Sequence, residues 1–333
     1  MDEKPLYQEG GSVMKKTTKI WLIAAASLIL AGCILFAVVL STNGWKFSKL
    51  STVRYETNTY EISKPFTAIA LSVDTADIAF ALSSDGKCRV ECYEEETTKH
   101  SVTVEKDTLF IESSNSKSWY DYTGFHFGSP KITVYIPKTE HYTLSVQGST
   151  GNVEVLKELS FISADISLST GDIKFFAAAR ETAKIKTGTG NICVENNSVG
   201  ALSLSVSTGK VTISKVTCSG SITIGVSTGK AYLRDITCKS ILSSGTTGDI
   251  ILNHVIATEK LSIERTTGDV EFDGSDAAEI FVKTGTGDVT GNLLTDKVFI
   301  TQTDTGDVDV PQTITGGRCE INTNTGDIKI KIG

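Results

Sequence analysis

A dipeptide in register decides what this chain can fold into. Ten Thr-Gly pairs between residue 150 and the C-terminus stand in register, with their glycines at Gly151, Gly171, Gly190, Gly209, Gly229, Gly248, Gly268, Gly287, Gly306 and Gly326, so that successive copies lie 19 or 20 residues apart. A period that regular means one supersecondary unit per copy, stacked on its neighbours. In nine copies the second residue after the Gly is Val or Ile, and Ala231 is the exception.

The copy around Gly209 shows what each unit is. Leu202, Leu204, Val206 and Thr208 alternate with polar residues, and Val211 and Ile213 resume the alternation beyond the Gly. Ile185, Ile192 and Val194 repeat the design around Gly190, and Ile280, Val282 and Val289 repeat it around Gly287. Period two on both sides of a bend predicts two short strands per copy, joined where Gly can take the positive φ of a tight corner. A 19-residue unit cannot bury one face of two strands alone, so each strand is expected to pair in parallel with the equivalent strand of the next copy. The fold class is therefore all-β, a parallel β-helix or β-solenoid of about ten rungs, ~48 Å long at ~4.8 Å per rung. The five prolines (Pro5, Pro65, Pro130, Pro137 and Pro311) avoid residues 138 to 310, where a missing N–H would break the ladder.

Ahead of the array, residues 20–40 carry no charge and are long enough to cross a hydrocarbon layer of ~30 Å as one helix. Lys15, Lys16 and Lys19 precede this run, which makes residues 1–19 a short cytoplasmic tail and places the repeats outside the cytoplasm. Leu30-Ala31-Gly32-Cys33 resembles a lipoprotein box, with a lipid on Cys33 as the alternative anchor. The apolar residues Ile34 to Leu40 that follow favour the intact helix, because the run reaches spanning length only with Cys33 inside it. Either reading puts the chain at a membrane.

Residues 41–50 read as a linker, 51–148 as an irregular β region and 149–333 as the solenoid domain. Asp74 to Phe80 looks like a decayed copy of the repeat with Ala76 at the Gly position. Val102 and Val104, then Glu105-Lys106-Asp107, then Leu109 and Ile111 predict a hairpin. The region is expected to cap the rod, whose open end would otherwise expose strand edges.

Beyond residue 40 there are 28 basic and 36 acidic side chains, the totals of 32 and 39 less four Lys and three acids. A net charge of −8 there disfavours nucleic acid as a partner. Seven cysteines without a stapling or zinc spacing suggest core thiols. Cys88 and Cys92 lie too far apart on a strand to bridge, and Cys218 and Cys238 stack one rung apart.

This order of parts, an N-terminal helix, then an irregular β region ending in Lys131-Ile132-Thr133-Val134-Tyr135-Ile136-Pro137, then Thr-Gly-Asp repeats, resembles a bacterial β-strand-repeat family of unknown function labelled "putative adhesin". The resemblance covers residues 50–333. It implies a right-handed β-helix at the cell envelope, acting in adhesion or as an envelope-stress scaffold, and no catalytic residues.

The alternative is a carbohydrate-active enzyme on a β-helix, but rungs of constant length leave no room for loops that wall a cleft. His100, His126, His141 and His254 form no evident constellation. Trp119, Tyr120, Tyr122, Phe125 and Phe127 put five of the chain's 25 aromatics in nine residues, the best candidate contact surface for a glycan, a membrane or an envelope protein; plugging the rod is the competing role. The Thr-x-Thr pairs Thr187/Thr189, Thr284/Thr286, Thr303/Thr305 and Thr323/Thr325 are expected to face inward and satisfy their hydroxyls from rung to rung. Six copies carry Asp after the corner Gly. Each Asp is expected to accept N–H bonds within its own turn. No cofactor is expected; a Ca²⁺ column, richest at Asp304, Asp307 and Asp309, is the alternative, although the nonapeptide of calcium-binding β-rolls is missing.

Overall fold

Alternating apolar residues pair in register from rung to rung and close a continuous core. In this computed structural model, which describes residues 15–42, 44–45, 54–113, 129–138 and 142–333, Leu202, Leu204 and Val206 pair with Ile222, Ile224 and Val226 of the next rung in parallel. Beyond the corner, Val211 and Ile213 pair with Ala231 and Leu233. All ten of these side chains are at most 3% exposed. Each buried Val, Leu or Ile among them stabilises by about 1.5–3 kcal/mol, and no copy could obtain this alone.

The five copies from Gly190 to Gly268 also bend a second time, six residues after the corner Gly. Asn196, Lys215, Asp235 and His254 have φ of 52°, 53°, 52° and 51°, and Gly274 has 56°. The bend changes which alternate residues point inward: Val211 and Ile213 are buried before Lys215, and Val216 and Cys218 after it. No residue type is shared along this column, so only the Gly corner shows in the sequence. Asn and Asp tolerate the left-handed conformation, whereas Lys215 is held there by the strands on either side.

The rungs do not stack wholly in chain order, which corrects the expectation of pairing with the next copy. Residues 280–286 of the Gly287 rung, the end of strand Val270–Thr286, pair with Gly317–Thr325, and Lys297–Thr305 pairs with Gly317–Thr325 on its other edge. The spatial order of corners is therefore Gly287, Gly326, Gly306. Composition explains the exchange. Cys319, Ile321, Ile328 and Ile330 of the Gly326 rung are buried, whereas Thr301 holds the position equivalent to Ile321 in the Gly306 rung. The more apolar rung is enclosed and the more polar one takes the end.

The N-terminal region repeats the device. Strands β1 (Tyr55–Ile62), β2 (Ala68–Thr75), β3 (Asp77–Leu82), β4 (Cys88–Glu95), β5 (His100–Glu105), β6 (Thr108–Ser113) and β7 (Lys131–Ile136) precede the Gly151 rung. β2 and β3, joined at Ala76, form a rung on the Gly151 copy. β6 and β7 then pair in parallel with the far edges of β2 and β3, although they follow them in the chain. Antiparallel strands end the stack there, β5 on β6 and β4 on β7, with β1 on β4. The predicted 102–111 hairpin is the β5–β6 pair, turning through Lys106 and Asp107 at φ 45° and 64°.

Helix α1, Lys16–Thr42, is long and apolar enough to cross a membrane. All seven cysteines are free, Cys218 and Cys238 being buried. Amide hydrogen exchange checks the exchanged rung order directly. Amides of Gly317–Thr325, enclosed on both edges, exchange more slowly than those of Lys297–Thr305; the reverse order corresponds to stacking in chain sequence.

Candidate functional site

The corner is the most repeated polar feature, and its geometry decides what it can do. Gly209 takes φ +146°, and a Cβ there would lie 1.8 Å from the Gly190 carbonyl oxygen. Only glycine fits a rung laid this closely on its neighbour. The Gly209 N–H donates to Thr228 O at 2.9 Å, and Val211 N–H to Lys230 O at 3.0 Å, so the backbone pairs through the bend.

The residue after the Gly reaches between rungs, not within its own turn as expected from sequence. Asp77 Oδ1 accepts from Asn152 N–H (2.8 Å), Asn152 Oδ1 from Asp172 N–H (3.0 Å), Asp172 Oδ1 from Asn191 N–H (2.7 Å) and Asn191 Oδ1 from Lys210 N–H (3.0 Å). Lys210 and Lys230 interrupt the series. It resumes from Asp249 to Asp269 (3.2 Å), Asp269 to Asp288 (2.9 Å), Asp288 to Asp327 (2.8 Å) and Asp327 to Asp307 (2.9 Å). Each carboxylate is thus placed by an N–H of the adjacent rung, and these donors offset the repulsion between neighbours about 5 Å apart. Lys230 Nζ bonds Asp249 Oδ2 at 2.7 Å and holds that carboxyl below its usual range. The Asp307 N–H first, and then Lys329, hold Asp327 low.

The Thr-x-Thr pairs divide at the corner. Thr187, Thr284 and Thr323 are buried, and the hydroxyls of Thr187, Thr284, Thr303 and Thr323 donate to the carbonyls of Gly171, Gly268, Gly326 and Gly287 at 3.0–3.1 Å. The second member of each pair, Thr189, Thr286, Thr305 or Thr325, is exposed, because the chain has begun to turn and the alternation no longer points it inward.

At the Gly306 end the last rung has no neighbour beyond it among the described residues. Leu294, Val298, Ile300 and Val308 are exposed there, and Ile314 is 93% exposed. Beside them lies an open cavity of ≈ 650 Å³, lined by Ala277, Leu294 and Gly316 and by a triad of the buried Lys297 and Asp276 with the exposed Thr295. In the triad Lys297 Nζ meets Asp276 Oδ1 at 2.6 Å, and the Thr295 hydroxyl donates to Asp276 Oδ2 at 2.6 Å. The structure brings Asp307 into the corner ladder and leaves Asp304 and Asp309 exposed.

Among the described residues, the group of three that could hold a metal lies elsewhere: Cys92, Glu94 and His100, all buried. The sequence reading left His100 without partners, because its contact with Glu94 appears only when β4 and β5 pack. Alternation along Cys92-x-Glu94, which puts both side chains on one face, was the available signal. The aromatic segment Trp119, Tyr120, Tyr122, Phe125 and Phe127 lies outside the described residues.

Comparison with known proteins bears on the whole solenoid. The sequence profile of the family described as Toastrack DUF4097 matches residues 66–226 and 219–333. Similar solved structures include a "putative lipid binding protein" from Parabacteroides distasonis (15% identity, 84% of this chain, 98% of that chain, TM-score 0.48). Others are described as a "putative adhesin", from Parabacteroides merdae (12%, 84% and 96%, TM-score 0.44) and from Bacteroides fragilis (16%, 84% and 97%, TM-score 0.38). No curated protein matches the chain.

The ladder predicts a graded response at Asp288. Asp288→Asn, which keeps an Oδ1 acceptor, retains most of the stability, and Asp288→Leu loses about 1 kcal/mol in denaturant unfolding. Asp249 and Asp327 have lowered folded-state pKa values, so their contribution is complete above the unfolded pKa and is lost as pH falls through the folded one. Acid unfolding checks the sign: Asp327→Asn loses less stability between neutral pH and pH 3 than the parent chain.

Proposed function

The chain belongs to the Toastrack DUF4097 family, and on that premise we propose that it is a non-catalytic binding module of the bacterial cell envelope. In this reading α1 holds it at the membrane and the repeats are displayed outside the cytoplasm. The observation that carries the proposal is the asymmetry of the two ends of the stack. One end is closed by antiparallel strands, β5 on β6 and β4 on β7. The other presents the edge of Lys297–Thr305 with Val298, Ile300 and Val308 exposed. An unpaired strand edge with apolar side chains is a template for a partner. Along the sides, the polar groups of the corners are committed to neighbouring rungs, and rungs of 19 or 20 residues carry no loop between Gly151 and Gly287 that could wall a cleft.

The partner in this reading is a component of the envelope, a surface protein or a glycan. Trp119, Tyr120, Tyr122, Phe125 and Phe127, in the connection from β6 to β7, are proposed as a second contact surface. Co-sedimentation of the purified full chain with isolated bacterial cell walls tests both. Val298→Ser with Ile300→Ser is expected to reduce binding at least threefold while Tm changes little, since both side chains are exposed. Trp119→Ser with Phe125→Ser is expected to do the same if the aromatics are a contact. Unchanged binding in both double variants contradicts this reading.

A further inference from the structure

The N-terminal cap contains a polar cluster that the binding role does not use. On β4, Cys92 and Glu94 are alternate residues on the inward face, both 0% exposed, and His100 at the start of β5 is 8% exposed. Glu94 Oε2 lies 2.6 Å from His100 Nδ1 and accepts the His100 N–H at 2.6 Å. Thiol sulfur, carboxylate oxygen and imidazole nitrogen all lie within 4.8 Å of one another. An ion pair or hydrogen bond accounts for Glu94 and His100, but not for a soft sulfur donor converging on the same point.

A second layer orients these groups. Asn58 Nδ2 donates to Glu94 Oε1 at 2.7 Å, which leaves Oε2 to face His100. Asn58 also donates to Glu56, which Lys99 pairs at 2.6 Å. From β1 the Tyr60 hydroxyl donates to the His100 carbonyl at 3.3 Å. Partners that fix the orientation of liganding side chains are a hallmark of built metal sites.

We propose that Cys92, Glu94 and His100 bind one zinc-class divalent cation, with water or the Tyr60 hydroxyl as fourth ligand, and that the ion ties β4 to β5 and closes the cap. The donor set decides the metal. Sulfur, nitrogen and oxygen together suit tetrahedral Zn²⁺, whereas Ca²⁺ and Mg²⁺ take oxygen ligands. A thiolate, a carboxylate and a neutral imidazole around a dication leave no net charge in a buried place. The ion needs ~2.0–2.3 Å to each ligand, so it enters between Glu94 and His100 and replaces their direct bond. Binding releases the Cys92 thiol proton to solvent, and the neutral imidazole, whose Nδ1 takes the metal, carries its one proton on Nε2. Burial first, and then the charge of Glu94, push the Cys92 thiol up to about 12; coordination replaces that proton by the metal.

The test uses the reduced full chain in detergent, stripped by chelator and titrated with Co²⁺. One equivalent is expected to give a thiolate-to-cobalt charge-transfer band with tetrahedral d–d absorption, both removed by Zn²⁺. Cys92→Ser is expected to abolish the charge-transfer band, while Cys88→Ser and Cys319→Ser keep it, and His100→Gln to weaken binding at least tenfold. X-ray absorption at the zinc edge of the unaltered chain needs no variant to fold: one sulfur with three nitrogen or oxygen neighbours supports the site. No charge-transfer band in the parent chain, a band that survives Cys92→Ser, or a zinc shell with no sulfur or with two overturns it. None of these outcomes depends on cell-wall binding.

Discussion

The fold depends on one close approach. In rung after rung, the carbonyl oxygen of the neighbouring corner residue, a Gly in every case but Ala76 under Gly151, lies where a Cβ on a corner Gly would be, at 1.8 Å for Gly171, Gly209 and Gly229 and at 2.3 Å or less for the others. That approach demands glycine and a positive φ. It also brings the N–H of the following residue within reach of the preceding rung's Asp or Asn side chain, and the buried Thr hydroxyls within reach of the Gly carbonyls. Register, the inter-rung polar ladder and the apolar columns inside are consequences of that single contact repeated.

The same interchangeability of rungs explains how the stack ends. Any copy offers a neighbour the same corner, so chain order does not dictate spatial order, and burial decides instead. At the C-terminal side the last copy is enclosed between two others, as is the Ala76 copy at the N-terminal side. A strand paired on both edges resists the fraying that chain ends otherwise show. The outermost rung then differs between the two ends: one receives antiparallel strands, and the other leaves Val298, Ile300 and Val308 exposed.

Much of this was legible in the residues. The Gly column, the alternating strands, the 102–111 hairpin and Ala76 as a decayed corner follow from local patterns that the structure realises. The second bend was not legible, because Asn196, Lys215, Asp235, His254 and Gly274 share a conformation and no chemistry. The rung exchange was nearly so: Thr301 against Ile321 marks which copy suits the interior, but the comparison has meaning only once stacking is known. The inter-rung carboxylate bond and the Cys92, Glu94 and His100 cluster arise from tertiary contacts between segments, which no sequence period encodes.

The contact at the corner can be tested with one methyl group. Gly209→Ala places a Cβ 1.8 Å from the Gly190 carbonyl oxygen at φ +146°, whereas Gly225→Ala, in a strand of the next copy, meets nothing closer than 3.9 Å. Equilibrium unfolding of the two variants compares a forbidden methyl with a permitted one. The account predicts a loss of at least about 3 kcal/mol for Gly209→Ala and less than about 1 kcal/mol for Gly225→Ala. Equal and small losses would contradict it, since the rungs would then not be held together through their glycine corners.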